Sequence, residues 1–422
     1  MASTADATAK EPLPPPPPPC EEEEEEKIDG TRVFGEGAAA LSALTSWAAS
    51  ASKLPPLRSL DLRFSDEVDG RALASLGAHA RGLTRLRLDG CRNVVTSVVT
   101  SSSYSYSSSS SSSLRRAAAE NEDESDGGDE TETRHSAPQL AAVVARASKS
   151  LRSLSLYWIP RLPTDVVYAT AAACKGLTSL NLSGCTRAVD DGSLLALASS
   201  LGGGGGSERW GENSGGGGLR RLDLTRCQLL TDPGMAAAFA LMPRLRELRL
   251  YAVENFADEA ARALCAAADA SGADPGADNS GSGEAGGVGG TGRGRSASGL
   301  EVLDVCGARD LSDAAAAELV TKRCGGSLRV LGCGWVPNVG DALAAAVGRS
   351  CRGSLESLSL HGNRNLSEAG FDALVAGLSS NEGRRIKALD VRGCVGVREG
   401  RRSREALRGA LGPQLVEFAL QR

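Results

Sequence analysis

Residues Leu177 to Cys185 read LTSLNLSGC, and the chain continues from Cys185 as CTRAVDDGSLLALAS. Leucines at the first, fourth and sixth places, with a polar residue between the last two, describe a short strand that buries one face. The stretch after it keeps apolar residues at helical spacing. Between the two stands Cys185, which taken alone suits a nucleophile, a metal ligand, half of a disulfide or a packed side chain.

The stretch has relatives along most of the chain. LRSLDL begins at Leu57, LTRLRLDGC at Leu83, LRSLSL at Leu151, LRRLDLTRC at Leu219 and LRELRL at Leu245. LEVLDV follows at Leu300, LRVLGC at Leu328, LESLSL at Leu355, IKALDVRGC at Ile386 and a partial LVEFAL at Leu415. With Leu177 these make eleven starts, recurring every 26 to 31 residues except across three longer gaps. Eleven residues after a start comes a second apolar residue: Val68, Val94, Leu162, Ala188, Leu230, Phe256, Leu311, Val339, Leu366 and Val397. Thr or Ser with an acid often follows, as in LTDPGM, LSDAAA and LSEAGF, which reads as an N-cap and the acidic first turn of a helix. A unit is therefore a strand, a turn and a helix, and no unit buries its apolar side alone. The fold class this predicts is α/β: a horseshoe-shaped solenoid with a parallel sheet on its concave side and helices on its convex side.

Of the 422 residues, 41% are hydrophobic and 4% aromatic, 51 are glycine, and the formal net charge is −5. Much of the glycine, serine and proline lies in the long gaps, as in TSSSYSYSSSSSSS, GGGGGSERWGENSGGGG and SGADPGADNSGSGEAGGVGGTGRGRSASG. Such tracts gain too little from burial to offset the entropy of ordering. They predict disordered insertions near 100–136, 202–218 and 270–299. The insertions interrupt one repeat domain over 38–422, behind a disordered Pro/Glu-rich tail at 1–37. There is no apolar run of membrane-spanning length and no apolar segment of a secretory signal, so a monomer in the cytoplasm or nucleus is expected. The acidic balance supplies no basis for nucleic-acid binding. Without a Cys-x-x-Cys pair, and with only His79, His135 and His361 as imidazoles, neither a metal nor a cofactor is expected.

The pattern Leu-x-x-Leu-x-Leu-x-x-Cys, with the next apolar residue three places on, resembles the cysteine-containing class of leucine-rich repeats. That class occurs in F-box/LRR proteins, the substrate receptors of SCF ubiquitin ligases, and in relatives that carry the repeats without an F-box. The likeness covers roughly residues 57–422 apart from the insertions. It implies a non-catalytic recognition scaffold in SCF-type ubiquitin-dependent degradation, with a protein partner on the concave face and a Skp adaptor and cullin beyond it. Ahead of the first unit stand a proline run (Pro14 to Pro19), an acid run (Glu21 to Glu26) and one Ala-rich helix candidate around Ala38 to Ala51, with no recognisable F-box. LHGNRNLSEAGFDALVAGL at 360–378 also resembles the asparagine-bearing repeats of Ran GTPase-activating proteins, which implies GTPase regulation instead. A general interaction scaffold is the third reading.

Cys185 shares the ninth place of its unit with Cys91, Cys227 and Cys394, and with Asn363. These residues read as structural, turning a short polar group inward at the strand-to-loop bend. Eleven cysteines with no secretory signal read as reduced thiols. Outward strand positions line the concave face, and Tyr, Trp and Arg are the types enriched at interface hot spots. The partner-binding candidates are therefore Arg87, Tyr157, Trp158, Arg221, Arg249, Tyr251, Trp335 and His361, with Arg226 on the same side. Trp158 and Trp335, both at the eighth place, also suit packing against a neighbouring loop. His361 has no Ser or Cys partner with an orienting acid evident from spacing, so it reads as a contact residue and not a base.

Overall fold

The structure is a computed structural model describing residues 32–50, 56–76, 79–100, 132–202, 218–271, 299–379, 385–397, 404–412, 415 and 417–419. In chain order the elements begin β1 (Arg32–Glu36), α1 (Ala38–Ser50), β2 (Ser59–Arg63), α2 (Gly70–Ala74), β3 (Arg85–Arg87), β4 (Thr96–Thr100), β5 (Glu132–Ser136), α3 (Pro138–Ala147) and β6 (Ser153–Ser155). Next come α4 (Thr164–Ala173), β7 (Ser179–Asn181), α5 (Asp191–Leu201), β8 (Arg221–Asp223), α6 (Asp232–Phe239), β9 (Glu247–Arg249) and α7 (Asp258–Ser271). The rest are β10 (Val302–Asp304), α8 (Asp313–Leu319), β11 (Val330–Gly332), α9 (Asp341–Ser350), β12 (Ser357–Ser359), α10 (Glu368–Leu378), β13 (Ala388–Asp390), α11 (Arg404–Leu411) and β14 (Glu417–Ala419).

All eleven starts found in the sequence lead into strands of one parallel sheet, which has twelve strands in the order β1-β2-β3-β6-β7-β8-β9-β10-β11-β12-β13-β14. The fold is an open leucine-rich-repeat solenoid. Its register does not drift: fourth-place leucines pair directly, Leu60 with Leu86, Leu154 with Leu180 and Leu303 with Leu331. Leucines of the first, fourth and sixth places, such as Leu177, Leu180 and Leu182, are buried with the second apolar markers in one continuous core. Each buried leucine contributes about 1.5–3 kcal/mol, and a slip of one residue would turn a unit's whole set to water.

The twelfth strand lies ahead of the first leucine start. β1 pairs in parallel with β2, Val33 opposite Leu60, and α1 buries Ala40, Leu44 and Trp47 over the end of the core. Residues 32–36, expected in the tail, thus belong to the sheet. A terminal unit has one neighbour and needs less apolar surface, so RVFGE carries Val33 and Gly35 inward where other units carry leucine. The ends of the expected 100–136 insertion are also ordered, because β4 and β5 pair as an antiparallel ribbon leading out of the stack. Residues 1–31, 101–131, 203–217 and 272–298, on which the remaining expectations of disorder fall, lie outside the described residues. The ribbon leaves from the edge where strands end. The two later insertions leave from the edge where strands begin, and Leu219 N–H closes the second onto Leu201 O at 2.9 Å.

The aspartate that opens each helix from α5 to α9 does more than favour its own N-terminus. Thr231, Ser312 and Ser367 accept from the N–H three residues on, as N-caps do. The aspartates that begin helices reach into the next unit. Asp191 accepts from Thr231, Asp232 from Ala257 and Ala260, Asp258 from Ser312, and Asp341 from Ser367. Asp313 accepts the N–H groups of Gly340, Ala342 and Leu343 at 2.8–3.0 Å. An aspartate ladder thereby ties successive helix ends together, supplying donors left over by helix geometry with acceptors.

Candidate protein-binding face

At the eighth place the backbone of ten units turns left-handed. The φ values are 48° at Phe64, 70° at Gly90, 60° at Trp158, 75° at Gly184, 63° at Arg226, 56° at Ala252, 85° at Gly307, 54° at Trp335, 76° at Gly362 and 68° at Gly393. The cause is the sideways hydrogen bond that ends each strand: Trp158 N–H donates to Ser183 O, Gly184 N–H to Thr225 O and Arg226 N–H to Tyr251 O, each at 2.8 Å. Glycine takes this conformation freely, whereas other residues lose roughly 1–2 kcal/mol there.

The ninth place follows inward. Cys185 Sγ donates to Leu156 O at 3.0 Å, Cys394 to Leu360 O at 3.1 Å, Cys227 to Leu182 O at 3.5 Å and Cys91 to Leu62 O at 3.6 Å. Asn363 donates from Nδ2 to Cys333 O at 2.8 Å and accepts Val336 N–H at 3.0 Å. Each group meets a carbonyl of the preceding unit. Burial pushes the Cys185 thiol up to about 12 and Cys91 to about 11, which disfavours the thiolate a nucleophile needs. All ten cysteines among the described residues are buried free thiols.

The strand centres are less open than alternation implies. Asp61, Asp89, Ser155, Ser183 and Thr225 face outward by register yet are buried, because the curved sheet crowds them and they bond to backbone and to one another. Asn181, Asp223, Asp304 and Asp390 each accept the N–H two residues on, at 2.9–3.1 Å. Burial raises the carboxyls of Asp223 and Asp304 above the usual range. Arg249 stands between them in the register and draws both back toward the charged form.

Phe64 and Trp335 are exposed along the strand ends, and the candidates fall into three groups: two at that edge, and one that runs from Arg221 at the start of β8 to Tyr251 beyond the end of β9. In the first, Phe64 (51% exposed) meets Tyr157 edge-on at 6.4 Å between centroids, and Tyr157 meets Trp158 at 6.0 Å. Trp158 lies over Gly184, where an added Cβ would come within 2.6 Å of the ring. The Arg226 guanidinium closes the row 5.6 Å from the Trp158 centroid, and Arg63 over Phe34 at 5.4 Å extends it to β1. Arg87 lies below, bound to Asp61 and Asp89 at 3.3 Å each.

In the second group Arg221 pairs with Glu247 at 2.8 Å, Arg249 reaches the same carboxylate at 3.8 Å, and burial raises the hydroxyl of Tyr251. In the third, Trp335 (51% exposed) lies over Gly362 and meets His361 perpendicularly at 5.7 Å. Trp335 also walls a cleft of about 710 Å³ with Ala252, Glu254, Gly307, Arg309 and Arg364.

His361 has polar neighbours that spacing did not reveal. Ser359 Oγ is 2.8 Å from Nδ1, and Asp390 Oδ2 lies 3.8 Å from the same nitrogen. A proton relay needs serine and carboxylate on opposite nitrogens, so this arrangement positions the ring without activating the serine. Among the described residues no three His, Cys, Asp or Glu side chains gather as metal ligands, and no helix is long and apolar enough to cross a membrane. Reasoning from sequence missed Phe34 and Phe64. Phe64 holds the same eighth place as Trp158 and Trp335, so register was the signal; Phe34 belongs to the unit without leucines.

No protein-family model matches the chain, and no curated protein matches it. Similar solved structures include Rad7 in complex with Elc1 from yeast, at 14% identity and a TM-score of 0.46, covering 89% of this chain and 77% of that one. Another is the leucine-rich repeat-containing protein LegL7 from Legionella pneumophila, at 12% identity and a TM-score of 0.37, covering 90% of this chain and 86% of that one.

Proposed function

We propose that this chain is a non-catalytic, monomeric protein-recognition scaffold whose partner lies along the strand-end edge. One observation carries the reading. Phe64, Trp158, Arg226 and Trp335 occupy the place that turns left-handed, and so favours glycine, in all ten units, and none of them is fully buried. Backbone strain retained under large half-exposed side chains is a mark of a site with a task beyond folding, and Trp and Arg are the types that anchor partners.

The finer reading is substrate recognition in SCF-type ubiquitin-dependent degradation, in the cytoplasm or nucleus, with a Skp adaptor and cullin joined through another subunit. It is supported by the repeat pattern ending in Cys91, Cys185, Cys227 and Cys394. Affinity purification from the native cell tests both levels, comparing the wild type with a variant carrying Phe64→Ala, Trp158→Gly and Arg226→Ala. Partners lost from the variant, with a Skp adaptor and cullin among those the wild type captures, are the expected result. A small GTPase captured in their place sinks the degradation reading, and identical capture by both proteins sinks the edge as the site. Arg249 is unsuitable for such a variant, since it balances the half-buried Asp223 and Asp304.

A further inference from the structure

The opposite edge, where strands begin, carries a charge pattern that partner recognition does not use. The second places of the ten units from β2 to β13 hold Arg58, Thr84, Arg152, Thr178, Arg220, Arg246, Glu301, Arg329, Glu356 and Lys387. In the later half this row neutralises itself. Arg246 pairs with Glu301 at 2.8 Å, and Glu356 binds both Arg329 and Lys387 at 2.9 Å.

The first half has no acid. Thr84 and Thr178 spend their hydroxyls on the carbonyls of Arg58 and Arg152. Arg81, Lys149 and Lys175 add three more cations, each two residues before a leucine start. Arg58, Arg81, Lys149, Arg152, Lys175 and Arg220 are all exposed, and among the described residues none has an ion pair. A protein with net charge −5 therefore presents a one-sign basic strip across five adjoining units.

We propose that this strip is the dock for the chain's own acid run, Glu21 to Glu26. Register places the two together: Arg32 pairs with Ser59, so the chain enters β1 at the level of Arg58, on the edge that carries the strip. Reach then suffices. At 3.3–3.6 Å per residue, Glu26 reaches up to about 21 Å from Arg32 and Glu21 about 38 Å. The strand bearing Arg220 is five strands from β1, or about 24 Å at 4.8 Å per strand. Six carboxylates tethered at that range meet six cations that have no acid paired with them among the described residues. The run and an added polyanion then compete for the strip, independently of the partner edge proposed above.

Zero-length carbodiimide coupling of the dilute full-length protein, mapped by mass spectrometry, tests the proposal. Amide bonds within one molecule from Glu21–Glu26 to Lys149 or Lys175 are expected. They should disappear in 1 M salt, where the screening length falls to about 3 Å, and in a variant carrying Arg58→Glu, Arg152→Glu and Arg220→Glu. Coupling that favours Lys322 and Lys387 equally, or that occurs only between molecules, overturns it. As a second readout, replacing Glu21 through Glu26 with Gln should raise affinity for a 20-nucleotide single-stranded DNA probe on the order of tenfold. Equal affinity of both proteins overturns the proposal and assigns the strip to an external polyanion.

Discussion

The Arg226 guanidinium stands 5.6 Å from the centre of the Trp158 ring, and the two residues come from units separated by a third, whose Gly184 leaves the space beneath the ring open. Nothing local joins them. Three units contribute a ring, a gap and a cation at one register place.

Trp158 keeps a φ of 60°, so its two small replacements should differ. Trp158→Ala loses the ring and retains the strain, while Trp158→Gly loses the ring and relieves it. Urea unfolding is expected to show the Gly variant more stable than the Ala variant by about 1 kcal/mol. Equal stabilities would show that the turn is unstrained.

The thiols should report burial directly. Ten cysteines are buried among the described residues, and the protein has eleven in all. Iodoacetamide at pH 8 is expected to modify at most Cys20 in the native protein, and all eleven in guanidinium without reductant. A shortfall in the denatured count would reveal disulfides, and rapid native labelling of Cys185 would contradict a thiol pushed up to about 12.

Asp313 should matter more than its surface position suggests. The N-cap of α9, Gly340, has no side-chain acceptor of its own, so Asp313 supplies one from the preceding unit. Asp313→Ala is expected to cost about 2 kcal/mol, with faster amide exchange at Ala342 and Leu343. Asp310→Ala, one turn away and exposed, should change stability by less than about 0.5 kcal/mol. Equal costs would deny the ladder its role.

The half-buried carboxylates of Asp223 and Asp304 carry a pH signature. Asp223 and Asp304 hold a proton more tightly folded than unfolded, so their contribution to stability is present at acid pH and declines as pH rises above about 4. Asp304→Asn keeps the acceptor, as Asn181 does for Ser183 N–H at 2.9 Å, and removes the charge. The variant's stability relative to wild type is expected to grow between pH 4 and pH 7 in urea titrations. A difference that shrinks over that window would show that Arg249 more than compensates for burial.

The repeat length, the eleven leucine-led strands and the inward setting of the ninth-place cysteines were all legible in the residues. Each is a periodic signal within one unit: burial of Leu177, Leu180 and Leu182 depends on the strand's own alternation. β1 escaped because a terminal unit needs few apolar residues, and Phe64 because its place holds glycine in half of the units and so shows no periodic side-chain signal.

What the sequence by itself determined is the unit and its phase along the chain. Tertiary structure alone decided which residues of different units meet: Trp158 with Arg226 across Gly184, Asp313 with the start of α9, Asp223 and Asp304 around Arg249. Those meetings also closed the strand centres and moved the exposed face to the turn. The reason is geometric, since periodicity records how each residue faces its own strand, while contacts between units depend on curvature and on the size of the neighbour at the same place.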